Sequence, residues 1–148
     1  MDNSEFLARL TDKDAVSACA FADLIVRESR ERDRWYPYFD EALGLLGHKN
    51  SLVRNRAIAI LAANARWDAS GRLDAAIDAF LAHVTDEKPI TARQCIQALS
   101  EIAAAKPRLV PQIKAALEHA DLTDYRDSMQ PLIFKDIVAV LRELNEKD

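Results

Sequence analysis

Apolar positions along this chain recur with the 3.6-residue rhythm of amphipathic helices rather than the alternation of strands. The run Val53-Arg54-Asn55-Arg56-Ala57-Ile58-Ala59-Ile60-Leu61 places apolar residues at i, i+4, i+7 and i+8, on one helical face. The same spacing appears as Val16, Ala20 and Leu24, with Asp23 interrupting. It returns as Thr91, Cys95, Ala98 and Leu99, and as Ile133, Ile137, Val140 and Leu141. Breakers and caps cut the pattern into about eight helical segments: 3–10, 13–33, 36–47, 51–66, 70–85, 89–105, 108–120 and 129–146. Gly47, Asn50 and Ser51 end one helix and cap the next, and Asp68 and Ser70 offer N-cap oxygens. Pro89, Pro107 and Pro131 fall in or near first turns, where no backbone N–H is missed. The short loops predict antiparallel neighbours, so the chain reads as a series of helical hairpins.

These hairpins repeat. Leu24, Leu61, Leu99 and Leu141 stand at matching places in successive second helices, and in the first helices Pro37, Ala42 and Leu43 match Pro111, Ala116 and Leu117. An early proline, a loop, then Val-Arg-x-x-Ala-x-x-(apolar)-Leu resembles the HEAT repeat. The resemblance implies an all-α fold: a right-handed α-α superhelix, or short solenoid, of about four hairpins. The units would be 3–33, 36–66, 70–105 and 108–146 of a single domain spanning 1–148. Only the 36–66 unit carries both the proline and Val-Arg; Arg93 comes one position late, and the last unit has Ile133-Phe134 instead. The loop Asp common in such repeats is replaced in the best unit by Gly47-His48-Lys49-Asn50.

Composition supports helix. The chain has 148 residues, with 25 Ala and 17 Leu but only 3 Gly and 5 Pro, too few turn formers for a sandwich or barrel. No apolar run approaches the roughly 20 residues of a membrane span. The acidic start MDNSEFLARL lacks the features of a signal peptide, so a cytoplasmic location with reduced cysteines is expected. Cys19 and Cys95, both inside apolar runs, read as small buried hydrophobes.

Candidate chemistry is sparse. Gly44, Gly47 and Gly71 stand apart, so no phosphate loop is formed. His48, His83 and His119 recur near first-helix C-termini, where an imidazole can meet the carbonyl dipole, and no HxxxH or CxxC spacing points to a metal. Asp74, Asp78, Asp121, Asp124 and Asp127 are spaced like solvated acids. The expectation is a non-enzymatic protein without cofactor or metal. The aromatic stretch Trp35-Tyr36-Pro37-Tyr38-Phe39 reads either as packing between the first two hairpins or as a contact site.

Charge is distributed unevenly: segment 42–117 carries +4, while 1–41 and 118–148 carry −4 each. Helical angles place Arg66 and Arg93 on one open side with Asn55, Gln97 and Ser100, whereas Arg54 and Arg56 flank the core and can lay their stems over neighbouring hairpins. The expected partner site is therefore Asn55, Arg66, Trp67, Arg93, Gln97 and Ser100, on a concave surface receiving an acidic or polar protein segment. The alternative is a DNA-binding protein that resembles the HEAT-like alkylpurine DNA glycosylases, for which Trp67, Asp68 and Arg72 are the nearest local material. A terminal hairpin without a polar cap would also permit homodimerisation.

Overall fold

The computed structural model describes residues 1–146, which hold nine α-helices joined by short loops and 3-10 turns, with no β-strand among them. Side-chain caps open the early helices. Asp2 accepts from Glu5 N before α1 (Asn3–Leu10), and Asp14 accepts from Val16 N and Ser17 N before α2 (Ala15–Ser29). A 3-10 turn containing Pro37 leads into α3 (Phe39–Gly44), and Asn50 caps α4 (Ser51–Asn64) through Leu52 N.

The segment expected at 70–85 is broken. α5 (Arg72–Ala75) and α6 (Ile77–Leu81) part at Ala76, whose φ of −108° and ψ of 12° leave the helical region, and a 3-10 turn over Ala82–Thr85 follows. Both pieces still turn one face inward, because Leu73, Ile77 and Phe80 are buried. Pro89 then opens α7 (Pro89–Ala105), which has the expected bounds, and α8 (Val110–Glu118) and α9 (Gln130–Glu146) complete the order.

Helices α2, α4, α7 and α9 lie side by side in chain order, each packed on the next. Helix α1 covers α2, α3 covers α4, the 82–85 turn covers α7, and α8 covers α9. Among the described residues no comparable contact joins α1 or α2 to α8 or α9. Contacts at matching ends show that α2, α4, α7 and α9 run parallel: α2 and α4 start together beside Ala15 and Leu52, and α7 meets α9 early through Arg93 and Asp136 and late through Ser100 and Glu143. The Thr91 hydroxyl donates to Asn55 Oδ1 at 2.6 Å near the start of α7 and α4, and Asn64 Nδ2 donates to Ser29 Oγ at 3.0 Å where α4 and α2 end. Helix α4, in the middle, is buried nearly all round.

In α2 the expected apolar face is displaced by one residue. Val16 is 80% exposed, Ala20 and Asp23 are exposed and Leu24 is half-buried, while Ala18, Phe21, Ala22, Ile25 and Ser29 face inward. The expected stripe would have drawn Asp23 and Arg27 into the core, at the cost of desolvating charges. The observed stripe contains none, and it brings the Phe21 ring edge-on to Phe6 at 6.1 Å and to Trp35 at 5.6 Å. Tyr38 stacks on Phe6 at 4.5 Å, so the aromatic stretch is packing between the first two hairpins. The Cys19 reading is corrected with the stripe: Cys19 is exposed and Cys95 buried.

Candidate interaction surface

The exposed side of α2, α4 and α7 is a shallow trough. One depression of about 270 Å³ lies over α4 and α7 between Arg30, Ala59, Ala62, Gln97, Ala98 and Glu101. A second, of about 350 Å³, lies over α2 and α4 beside Cys19, Val26, Leu52 and Asn55. They share Ala59 and Gln94 on their walls, so the two depressions adjoin across α2, α4 and α7. Alanines make its floor because their short side chains leave space between the polar residues of the rim.

The structure brings five of the six expected site residues, all but Gln97, into bonds between neighbouring hairpins. Arg66 donates to the Arg30 carbonyl at 2.8 Å and to Glu101 at 2.9 Å. Arg30 meets the same Glu101 at 3.2 Å, so three units share one ionic node. The Trp67 indole N–H donates to the Ser29 carbonyl at 2.6 Å, and the Ser100 hydroxyl donates to Glu143 at 2.7 Å. Arg93 holds Asp136 on α9 at 2.7 Å. Asn55 accepts from Thr91 and borders the trough, and Gln97 is exposed within it. Arg66 and Arg93 do not form one basic stripe. Arg66 meets the far end of α7 through Glu101, while Arg93 sits in its second turn against α9, and both charges are matched by carboxylates.

Sequence reasoning missed how much of the basic centre is internal. Arg54 and Arg56 flank the core as expected, and both are buried. The Arg54 guanidinium is 2.7 and 3.0 Å from the two Asp86 oxygens and donates to the His48 and Lys49 carbonyls; Arg56 donates to the Leu10 carbonyl. Burial would raise the Asp86 carboxyl, but Arg54, the Lys88 amide and His83 together hold it below its ordinary value.

Lys106 forms a second buried node. Its ammonium is 3.0 Å from Asp68 Oδ2 and also bonds Asp74, which Arg108 holds from the other side. Asp68 accepts from the Tyr36 hydroxyl and from the amides of Arg72 and Leu73, so it serves the start of α5. Against burial, those donors keep its carboxyl below the usual range. Arg72 reaches Asp40 at 3.3 Å. The three residues that suggested DNA binding, Trp67, Asp68 and Arg72, are each engaged in joining neighbouring hairpins.

The histidines differ from one another. His119 Nδ1 meets the Ala115 carbonyl as expected, His48 Nδ1 accepts from Asn50 N, and His83 Nδ1 meets Asp86 at 2.7 Å. A further depression, of about 710 Å³, lies between the 82–85 turn and α8; Asp86 on its wall is already engaged with Arg54. Among the described residues no three of His, Cys, Asp and Glu are placed to share a metal ion, and no helix is long and apolar enough to cross a membrane. Comparison with protein families, curated proteins and solved structures gave no match.

Proposed function

We propose that this chain is a non-enzymatic interaction module, a short HEAT-like solenoid whose inner helices α2, α4, α7 and α9 present a concave face to a protein segment. The observation that carries the reading is the trough across α2, α4 and α7: it is floored by alanines, rimmed by amides and charges, and held open by bonds between successive hairpins. A surface built of parallel helices fixed to their neighbours is a rigid platform, and rigidity lowers the entropic cost of binding.

Five of the six expected contacts brace this platform, so the face that meets a partner centres on Ala59, Gln94 and Gln97, with Asn55 at its edge. The paired change Gln94→Glu with Gln97→Glu places two negative charges in the trough at exposed positions. It is expected to repel an acidic or polar segment and lower capture of the natural partner at least tenfold, with little change in melting temperature. Capture equal to wild type would remove the trough from the proposal.

A further inference from the structure

Helix α4 carries two buried arginines that are satisfied very unequally. Arg54 is 6% exposed and donates to both Asp86 oxygens and to the His48 and Lys49 carbonyls. Arg56 is 9% exposed, and its guanidinium makes one bond, from Nη1 to the Leu10 carbonyl at 2.9 Å. Among the described residues no carboxylate stands within ion-pair distance of it. The Leu10 carbonyl lies at the end of α1, so this bond answers one N–H and part of the charge. A desolvated cation with most of its donors unmade is costly, and buried charges are normally paired.

The spare donors of Arg56 are not sealed inside the protein. Among the described residues the buried side-chain nitrogens and oxygens without a partner are Glu41 Oε2 and Asn64 Oδ1, so Nε and Nη2 of Arg56 reach open space. Arg56 forms part of the wall of the depression of about 350 Å³ over α2 and α4. Ala15, Ala22, Val26, Leu52 and Ala59 make the apolar part of that wall. Asn55 adds a second donor there: its Oδ1 takes the Thr91 hydroxyl, which leaves its amide N–H groups without a partner. The one acid on the wall, Asp23, is exposed and meets the Cys19 thiol at 3.8 Å rather than Arg56. Asp12 and Asp14, close to Leu10 in sequence, accept from the Asp14 amide and from the start of α2. These exposed acids act at a distance through a charge that salt screens, and they leave the hydrogen bonds of Arg56 and Asn55 unmade. What the cavity lacks is an acceptor.

Resting on the interaction-face reading above, we infer that Arg56 anchors a carboxylate: a partner segment lies in the trough with one acidic side chain, flanked by apolar ones, seated over α2 and α4. The carboxylate takes the spare N–H groups of the guanidinium and of the Asn55 amide, and its apolar neighbours cover Ala22, Val26 and Leu52. A guanidinium–carboxylate contact away from bulk water is charge-assisted and two-pointed, so it is stronger and more selective than a neutral hydrogen bond. The occupant is a segment because this depression adjoins the one over α4 and α7 at Ala59 and Gln94, and a chain lying in one continues into the other. A free carboxylic acid would use the same cation, and the experiment separates the two.

The probes are two capped peptides of about nine residues, long enough when extended at about 3.3 Å per residue to cross three helices about 8–10 Å apart. They are alike except for a central glutamate or glutamine between leucines. Binding to the full chain is followed by fluorescence anisotropy. Wild type is expected to prefer the glutamate peptide by about tenfold or more, Arg56→Met to bind both equally, and Arg56→Lys to keep part of the preference. A purely structural role through Leu10 would weaken both peptides alike and leave their ratio unchanged. Asn55→Asp, which keeps an acceptor for Thr91 and puts a carboxylate on the same wall, is expected to abolish the preference even if Arg56→Met does not fold. Equal affinities in wild type, no binding to it, or a preference that survives in either Arg56→Met or Asn55→Asp overturns the inference. Hexanoate binding as tightly as the glutamate peptide overturns the segment as occupant. Capture of the natural partner separates the two readings: loss with Gln94→Glu and Gln97→Glu but not with Arg56→Met overturns the anchor and leaves the interaction face standing.

Discussion

Arg54 and Asp86, 32 residues apart in sequence, form a buried two-point ion pair in which the inner helix of one hairpin grips the loop of the next. The same guanidinium holds its own loop through the His48 and Lys49 carbonyls. One side chain thereby sets the distance and rotation between two successive hairpins. Asp86 returns the connection, since its carboxylate meets His83 and its carbonyl accepts from the Tyr125 hydroxyl ahead of α9.

Removing one partner leaves the other charge buried without compensation. Asp86→Ala is therefore expected to lower stability by about 3–5 kcal/mol in urea unfolding. The double variant Arg54→Met with Asp86→Leu should recover part of that loss, because it leaves no stranded charge. A single variant within about 1 kcal/mol of wild type would show that the pair does not fix the hairpins.

Acid should loosen the structure over a defined range. Arg108, with Lys106, holds the Asp74 carboxyl down to about 2 from its ordinary 3.8, and the donors around Asp68 and Asp86 also lower those groups. A depressed folded-state value contributes stability that is fully present above the unfolded value and is lost as pH falls through the folded one. Urea midpoints are thus expected to fall as pH drops from about 4 towards 2, and Asp74→Asn should flatten part of that slope. An unchanged slope in the variant would contradict the role given to Asp74.

The two thiols should behave differently. Cys19 is exposed beside the trough, whereas Cys95 is fully buried and burial pushes its thiol up. Mass spectrometry after brief treatment with a maleimide is expected to find Cys19 alone modified in the native protein, and both residues modified in denaturant. Native labelling of Cys95 would contradict the packing of α7 against the 82–85 turn.

The helical pattern was legible because alanine-rich segments bounded by Asn50, Pro89 and Pro107 express local preferences. The bounds of α7 follow directly, and all-α architecture follows from the whole. The face of α2 was only partly legible: Val16, Ala20 and Leu24 keep a helical spacing, Asp23 and Arg27 weigh against that stripe, and the aromatic contacts of Phe21 with Phe6 and Trp35 favour the neighbouring face. The site residues raise a similar difficulty. Helical angles can place Arg66 and Arg93 outward, but their carboxylate partners Glu101 and Asp136 lie 35 and 43 residues away, and such pairings depend on how hairpins stack. The place of Arg54 and Arg56 beside the core was readable from angle alone.

The most direct test is the distance between the first and last inner helices. A spin label on Cys19 and another on Lys135→Cys, in a Cys95→Ala background, would report it by pulsed electron resonance. Three helix spacings of about 8–10 Å predict a separation near 25–30 Å with a single narrow distribution. A distance below about 15 Å would mean that α2 and α9 close on each other as neighbours, contradicting an open row of inner helices.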